Sequence, residues 1–156
     1  MVGNVILFLN MLSYFQGDYS LNIDIFRYIQ EENVLILDVT FSNKTKKRIH
    51  VNKYEPYRNN CFRSYTFWDL ELYKDGIRYY TPLMLTKREL ETIVVKKQSK
   101  YSFQISVCLS ELNRDSYIMA EVPKSGEYQI QLLTKFPSLK PNNIEIKSNV
   151  ISLIVD

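Results

Sequence analysis

One histidine, two cysteines and four glycines in 156 residues leave this chain short of the raw material for most catalytic and cofactor sites. His50 alone cannot supply the two histidines, one helical turn apart, that a zinc protease needs, and no HExxH occurs. Glycines at 3, 17, 76 and 126 are too scattered for a phosphate-cradling loop. The apolar stretch at residues 5–12 is far shorter than the roughly 20 residues that span a bilayer. It also lacks the basic start and small-residue cleavage site of a secretory signal. Charge of one sign is missing too: 20 basic against 17 acidic residues give a net charge of +3, too balanced to imply a nucleic-acid partner. No long amphipathic helical period is found.

What is present is alternation. In residues 101–110, Tyr101, Phe103, Ile105, Val107 and Leu109 alternate with Ser102, Gln104, Ser106, Cys108 and Ser110, which puts the two sets on opposite faces of a strand. Leu21, Ile23 and Ile25 open an earlier strand, Gln30-Glu31-Glu32-Asn33 makes a hairpin loop, and Leu35, Leu37, Val39 and Phe41 face inward on the return. Residues 43–47 read as a second hairpin turn, with 48–54 coming back. Trp68, Leu70 and Leu72 lead into Lys74-Asp75-Gly76, a tight turn because glycine accepts positive φ, and 77–80 return. Residues 93–95 make a brief strand. Tyr128, Ile130 and Leu132 mark another, and Ile144, Ile146, Ile151, Leu153 and Val155 the last. Inward parity changes from even to odd across Ser148-Asn149, which requires one extra residue there, a β-bulge. Residues 81–92 and 111–125 are connections with room for a helical turn.

Turns spaced about every 8–12 residues predict an all-β, immunoglobulin-like, two-sheet antiparallel sandwich of roughly seven to nine strands. It forms one domain over residues 21–156. Residues 1–20 read as a strand, a short helix or a degenerate signal, so the compartment stays open between cytoplasmic and extracytoplasmic. Twelve tyrosines suit half-buried strand positions and, equally, rigid binding surfaces.

The succession Leu37-Asp38-Val39-Thr40-Phe41-Ser42-Asn43, Ile49-His50-Val51, Leu72-Tyr73-Lys74-Asp75-Gly76, the 82–88 stretch, the 101–112 run and Ser125-Gly126-Glu127-Tyr128-Gln129-Ile130 carries a resemblance. It resembles the β-sandwich domain that precedes the zinc domain in deuterolysin-like metalloproteases. It is also similar to the small immunoglobulin-like bacterial intracellular proteinase inhibitors. Without a zinc motif, the resemblance implies a non-catalytic accessory or inhibitor-like module.

The candidate chemistry is modest. Lys44, Lys46, Lys47 and Arg48 form the one dense basic run, which reads as a solvated turn ahead of a phosphate site. His50 faces away from Ile49 and Val51 and has no nucleophile or second ligand near it in sequence. Glu31-Glu32 and Glu89 with Glu91 fall in turns and connections and read as solvated. Cys108 belongs to the outward set, so it cannot be an immunoglobulin-type inter-sheet cystine. A possible Cys61–Cys108 disulfide would pin the loop 55–65 across the outer sheet face, and two free thiols in a reducing compartment are the alternative. Between residues 54 and 68 lie Tyr54, Tyr57, Arg58, Phe62, Arg63, Tyr65, Phe67 and Trp68. Parity assigns Trp68 and Phe62 to the core. Tyr57, Arg58, Arg63 and Tyr65 are the candidate binding residues, because Tyr and Arg dominate interface energetics. The competing reading is that these side chains cover the open end of the sandwich. The expected function is a non-enzymatic protein-binding module, an inhibitor, immunity-type or adaptor protein that occludes a partner's surface with this loop. The alternative is an accessory β-domain that binds carbohydrate or a cell-surface ligand. The expected partner is another protein, with no nucleic acid, no transmembrane segment, no cofactor and no metal.

Overall fold

A computed structural model describes residues 7–8 (backbone only), 17–56, 60–84, 91–113, 125–136, 139 and 144–156. Among them are eleven strands: β1 (Leu7–Phe8), β2 (Tyr19–Ile29), β3 (Val34–Asn43), β4 (Ile49–Asn52), β5 (Trp68–Lys74), β6 (Ile77–Tyr79), β7 (Thr92–Val95), β8 (Ser99–Cys108), β9 (Gly126–Lys135), β10 (Glu145–Lys147) and β11 (Ile151–Val155). The one helical element described is a 3-10 turn at Leu109–Glu111. One sheet runs β1-β11-β9-β5-β6, with β10 also on β9; the second runs β2-β3-β8, and β4 pairs with β7. All of these ladders are antiparallel. The chain is therefore an all-β sandwich, with β3 and β8 joined in one sheet and β5, β9 and β11 in the other, as in immunoglobulin-like connectivity. Three strands are interrupted (β3/β4, β7/β8 and β10/β11), and taking each as one leaves eight.

The inward sets expected from alternation build the core. Leu35, Leu37, Val39 and Phe41 of β3 and Ile105 and Val107 of β8 are buried on one side. Leu70 and Leu72 of β5, Tyr128, Ile130 and Leu132 of β9, and Ile151, Leu153 and Val155 of β11 are buried on the other. Trp68 is fully buried and meets Phe103 and Phe136 edge-on at 5.1 and 5.3 Å, and Phe136 in turn meets Phe41 at 5.4 Å. The indole N–H donates to the carbonyl of Asn52 at 3.2 Å, so burying it leaves no orphan donor.

Residues 43–47 do not form the expected hairpin: β4 pairs with β7 and not with β3. Asn43 is the physical reason. Its buried side chain accepts from the backbone N–H and the hydroxyl of Thr45, and donates to the carbonyls of Lys47, Val95 and Lys96. A local Asx turn forms, with the N–H of Thr45 on the Asn43 side-chain oxygen at 3.0 Å. The bonds to Val95 and Lys96, however, tie it to the incoming strand, so the chain bends at an elbow and carries on. Asn43 pairs with Ser99 on one side of the elbow, and Ile49 with Val95 on the other.

The Lys74-Asp75-Gly76 turn has positive φ at Asp75 (49°) and Gly76 (77°), as a two-residue hairpin requires. Asp75 is stitched to β9 as well: its N–H donates to the carbonyl of Glu127, and its carboxylate accepts from the N–H of Glu127, both at 2.9 Å. Gly126, at φ +140°, permits that approach, since a Cβ there would lie 2.6 Å from the Asp75 carboxylate.

The bulge required at Ser148-Asn149 is present. Lys147 pairs with Leu133 and Ile151 with Ile130, so three residues on this strand face two on β9. The Ser148 hydroxyl accepts from the N–H of Leu132 at 2.9 Å in place of a ladder carbonyl. Asn149 reaches across to the other sheet, where its amide accepts from the N–H of Ile23 at 2.8 Å and donates to the carbonyl of Ile23 at 2.9 Å. Replacing Asn149 with Ala strands a buried donor and acceptor on β2 and is expected to cost about 3 kcal/mol. Urea unfolding measures this, with the exposed Asn22→Ala as a control that shifts by less than about 0.5 kcal/mol.

Candidate functional site

The loop expected to carry the partner contact is woven into the framework where it is described. Cys61 lies parallel to Ser106 of β8, and the N–H of Phe62 donates to the carbonyl of Ser106 at 2.6 Å. A disulfide joins Cys61 to Cys108, with Cα atoms 5.5 Å apart. The loop is thus fastened along the edge of β8 and not laid across the outer face, because its own backbone extends the sheet there. Phe62 is buried and stacks on Tyr54, which stacks on Phe103.

Arg63 forms an ion pair with Glu111 at 3.0 Å, its side chain only 18% exposed. Ser64 donates its N–H to the carbonyl of Pro82 and accepts from the N–H of Met84, while its hydroxyl bonds to the Asp69 carboxylate and the Thr81 hydroxyl. Tyr65 and Trp68 exchange backbone hydrogen bonds around a tight turn, and the half-buried Tyr65 ring packs on the core. Of the four candidate binding residues, Arg63 and Tyr65 therefore hold the loop in place. Tyr57 and Arg58 lie outside the described residues.

Several tyrosines share this commitment to the interior. Burial pushes the hydroxyls of Tyr54, Tyr65 and Tyr128 well above the ordinary tyrosine value, with the backbone of Glu55 partly offsetting the effect at Tyr65. Burial raises Tyr101 too, against a hydrogen bond from the N–H of Tyr54 at 3.2 Å. His50 is exposed on β4, opposite Val94 of β7. Among the described residues no three His, Cys, Asp or Glu side chains cluster closely enough to hold a metal. Nor, among them, is any helix long and apolar enough to cross a membrane.

A different surface stands out. The outer face of β2-β3-β8 carries a cleft of about 740 Å³ lined by Ser20, Asn22 and Asp24 of β2, Thr40 and Ser42 of β3, and Lys44, Gln98 and Lys100 at one end. Thr40 and Ser102 exchange a hydroxyl bond across the strands at 3.3 Å, and the Gln104 amide donates to Asp38 at 2.8 Å. Considered strand by strand, these positions are ordinary solvent-facing residues. The signal that could have found them is shared by three strands: the outward residues Ser20, Asn22 and Asp24, Thr40 and Ser42, and Lys100 lie side by side and are all polar.

No family model and no curated protein matches the chain. Among solved structures, a β-glucosidase of Erythrobacter marinus aligns at 12% identity with a TM-score of 0.42, over 84% of this chain. The chain spans 15% of the length of that enzyme, and a likeness of this degree carries no conclusion about activity.

Two outcomes follow from the loop and the tyrosines. Cys61 and Cys108 are 47 positions apart, so the Cys61→Ala/Cys108→Ala variant is expected to lose about 4 kcal/mol in urea unfolding through the freed denatured chain. Tyrosine in the unfolded chain ionises near 10.0, and Tyr54, Tyr65 and Tyr128 ionise higher when folded. Their contribution is thus fully present below pH 10 and is lost as pH rises from there toward the folded values. Tyrosinate absorbance should lag behind that of free tyrosine and appear together with alkaline unfolding. A single titration of every tyrosine at the free value, with the fold intact, contradicts this.

Proposed function

We propose that the chain is a non-enzymatic binding module that presents the outer face of β2-β3-β8 to a partner. The observation that carries this reading is the cleft itself, lined mostly by polar residues and set on a sheet secured at both edges: Asn149 bonds to β2, and the Cys61–Cys108 disulfide fastens the loop beside β8. Side chains on such strands are already ordered, so a ligand loses little of its binding energy in fixing them.

Two kinds of partner fit a module of this sort. A protein held by the loop is one, and the resemblance to proteinase inhibitors would make a protease a natural choice. That reading now rests on Tyr57 and Arg58, since Arg63 and Tyr65 have structural partners. The cleft favours the second kind, a carbohydrate or cell-surface ligand. Protein contacts concentrate on aromatic and arginine anchors, and the cleft has neither. Its hydroxyl, amide and carboxylate groups match the hydroxyls of a sugar. No tyrosine ring lines the cleft to serve as a stacking platform for a sugar, and Tyr19, Tyr54, Tyr79 and Tyr128 are buried.

Filling the cleft with Thr40→Trp tests the assignment against Tyr57→Ala/Arg58→Ala, using immobilised polysaccharides and a panel of proteases. The cleft variant is expected to weaken capture by tenfold or more, on the order of what a blocked binding surface costs, with an unchanged melting temperature. Loss in the double variant alone would return the contact to the loop.

A further inference from the structure

The elbow between the β3·β8 and β4·β7 ladders assembles a charge cluster that neither sequence segment shows alone. Residues 44–48 read Lys-Thr-Lys-Lys-Arg, and residues 96–100 read Lys-Lys-Gln-Ser-Lys. The amide of Asn43 bonds to the carbonyls of Lys47 and Lys96, and the N–H of Gln98 donates to the carbonyl of Thr45 at 3.2 Å, which ties the two segments together. Seven basic side chains, Lys44, Lys46, Lys47, Arg48, Lys96, Lys97 and Lys100, are thereby exposed on one corner; neither segment contains an acid, and the exposed Asp18 adjoins it, its carbonyl accepting from the N–H of Lys44 at 2.9 Å. That is over a third of the 20 basic residues, in a chain whose net charge of only +3 conceals the patch. Gathering like charges works against folding, so a corner of this kind gains from an anionic ligand.

Resting on the cleft reading above, we infer that this corner and the cleft form one binding surface for an anionic polysaccharide. Sulfate or carboxylate groups lie on the lysines, and sugar hydroxyls bond in the cleft. The two parts are continuous, because Lys44, Gln98 and Lys100 belong both to the cleft wall and to the basic segments. The composition selects this class of polyanion. Neither basic segment holds an aromatic ring on which nucleobases could stack. Neither holds an apolar side chain to enter a lipid surface. Six lysines to one arginine give mobile point charges suited to irregularly spaced anions, without the planar forks that read phosphate or base edges.

The test compares retention of the whole chain on immobilised dextran sulfate, unsubstituted dextran, duplex DNA and anionic phospholipid vesicles across a salt gradient. Retention on dextran sulfate is expected to fall steeply with salt and to exceed that on the other three by about tenfold or more. Lys46→Ala/Lys47→Ala/Arg48→Ala and Lys96→Ala/Lys97→Ala should each weaken it by about tenfold at unchanged melting temperature. Thr40→Trp should weaken it as well. Equal retention on DNA or vesicles, or lysine variants that bind like the parent, overturns the inference. Binding to both dextrans alike, lost only in Thr40→Trp, overturns it while leaving the cleft reading intact. Lysine-dependent binding that ignores Thr40→Trp removes the cleft from the surface and overturns both.

Discussion

The side chain of Asn149 stands in for a β-strand. Its amide gives Ile23 one donor and one acceptor, the pair a neighbouring strand would offer, and does so from the opposite sheet. β2 is the edge of its own sheet, and an edge that leaves backbone groups unpaired invites both water and other chains. Asn149 closes this edge where it meets β10 and β11. The bond is possible only because the bulge at Ser148-Asn149 turns one residue out of the ladder on β9, and the bulge is sustained because the Ser148 hydroxyl serves the N–H of Leu132. A local irregularity in one sheet thus sets how the second sheet lies against it.

The other edge of β2-β3-β8 is managed by covalent and backbone means. At β8, Phe62 supplies a ladder hydrogen bond, its ring enters the core, and the disulfide fastens the same segment one residue earlier. The long crossing between the sheets becomes part of the wall. This accounts for the described aromatic and arginine residues between 54 and 68. They fill and brace a junction where two sheets and a connection meet: Tyr54, Phe62, Phe103 and Trp68 pack ring against ring, and Arg63 answers Glu111 at the end of the 3-10 turn.

How much of this is legible in the sequence depends on the range of the interaction. Strand faces follow from alternation, because each residue's side is fixed by its immediate neighbours. The bulge follows from a single break in parity, and the turn at Asp75-Gly76 from the need for positive φ. The misread element is the supposed hairpin at residues 43–47. Asn43 and its polar neighbours are correct turn chemistry, but their deciding partners, Val95 and Lys96, lie some fifty positions away. Arg63 is illegible for the same reason, since an exposed anchor and a braced one differ only in the distant Glu111. The cleft escapes any reading of one strand, because its lining comes from β2, β3 and β8 together.

The same side-chain chemistry serves opposite ends in this fold. Polar residues inside, Asn43, Ser64, Ser148 and Asn149, are each consumed by backbone or neighbouring groups. Their burial therefore costs little, and each fixes a place where regular sheet geometry stops. These four joints are held from within, and the outward polar sets link only neighbouring strands, as Thr40 with Ser102 and Gln104 with Asp38 do. Ser20, Asn22, Thr40 and Ser42 can stay short and the face concave without loss to the core. The elbow at Asn43 links the two roles: the amide that bends the strand also gathers the lysines at the mouth of the cleft.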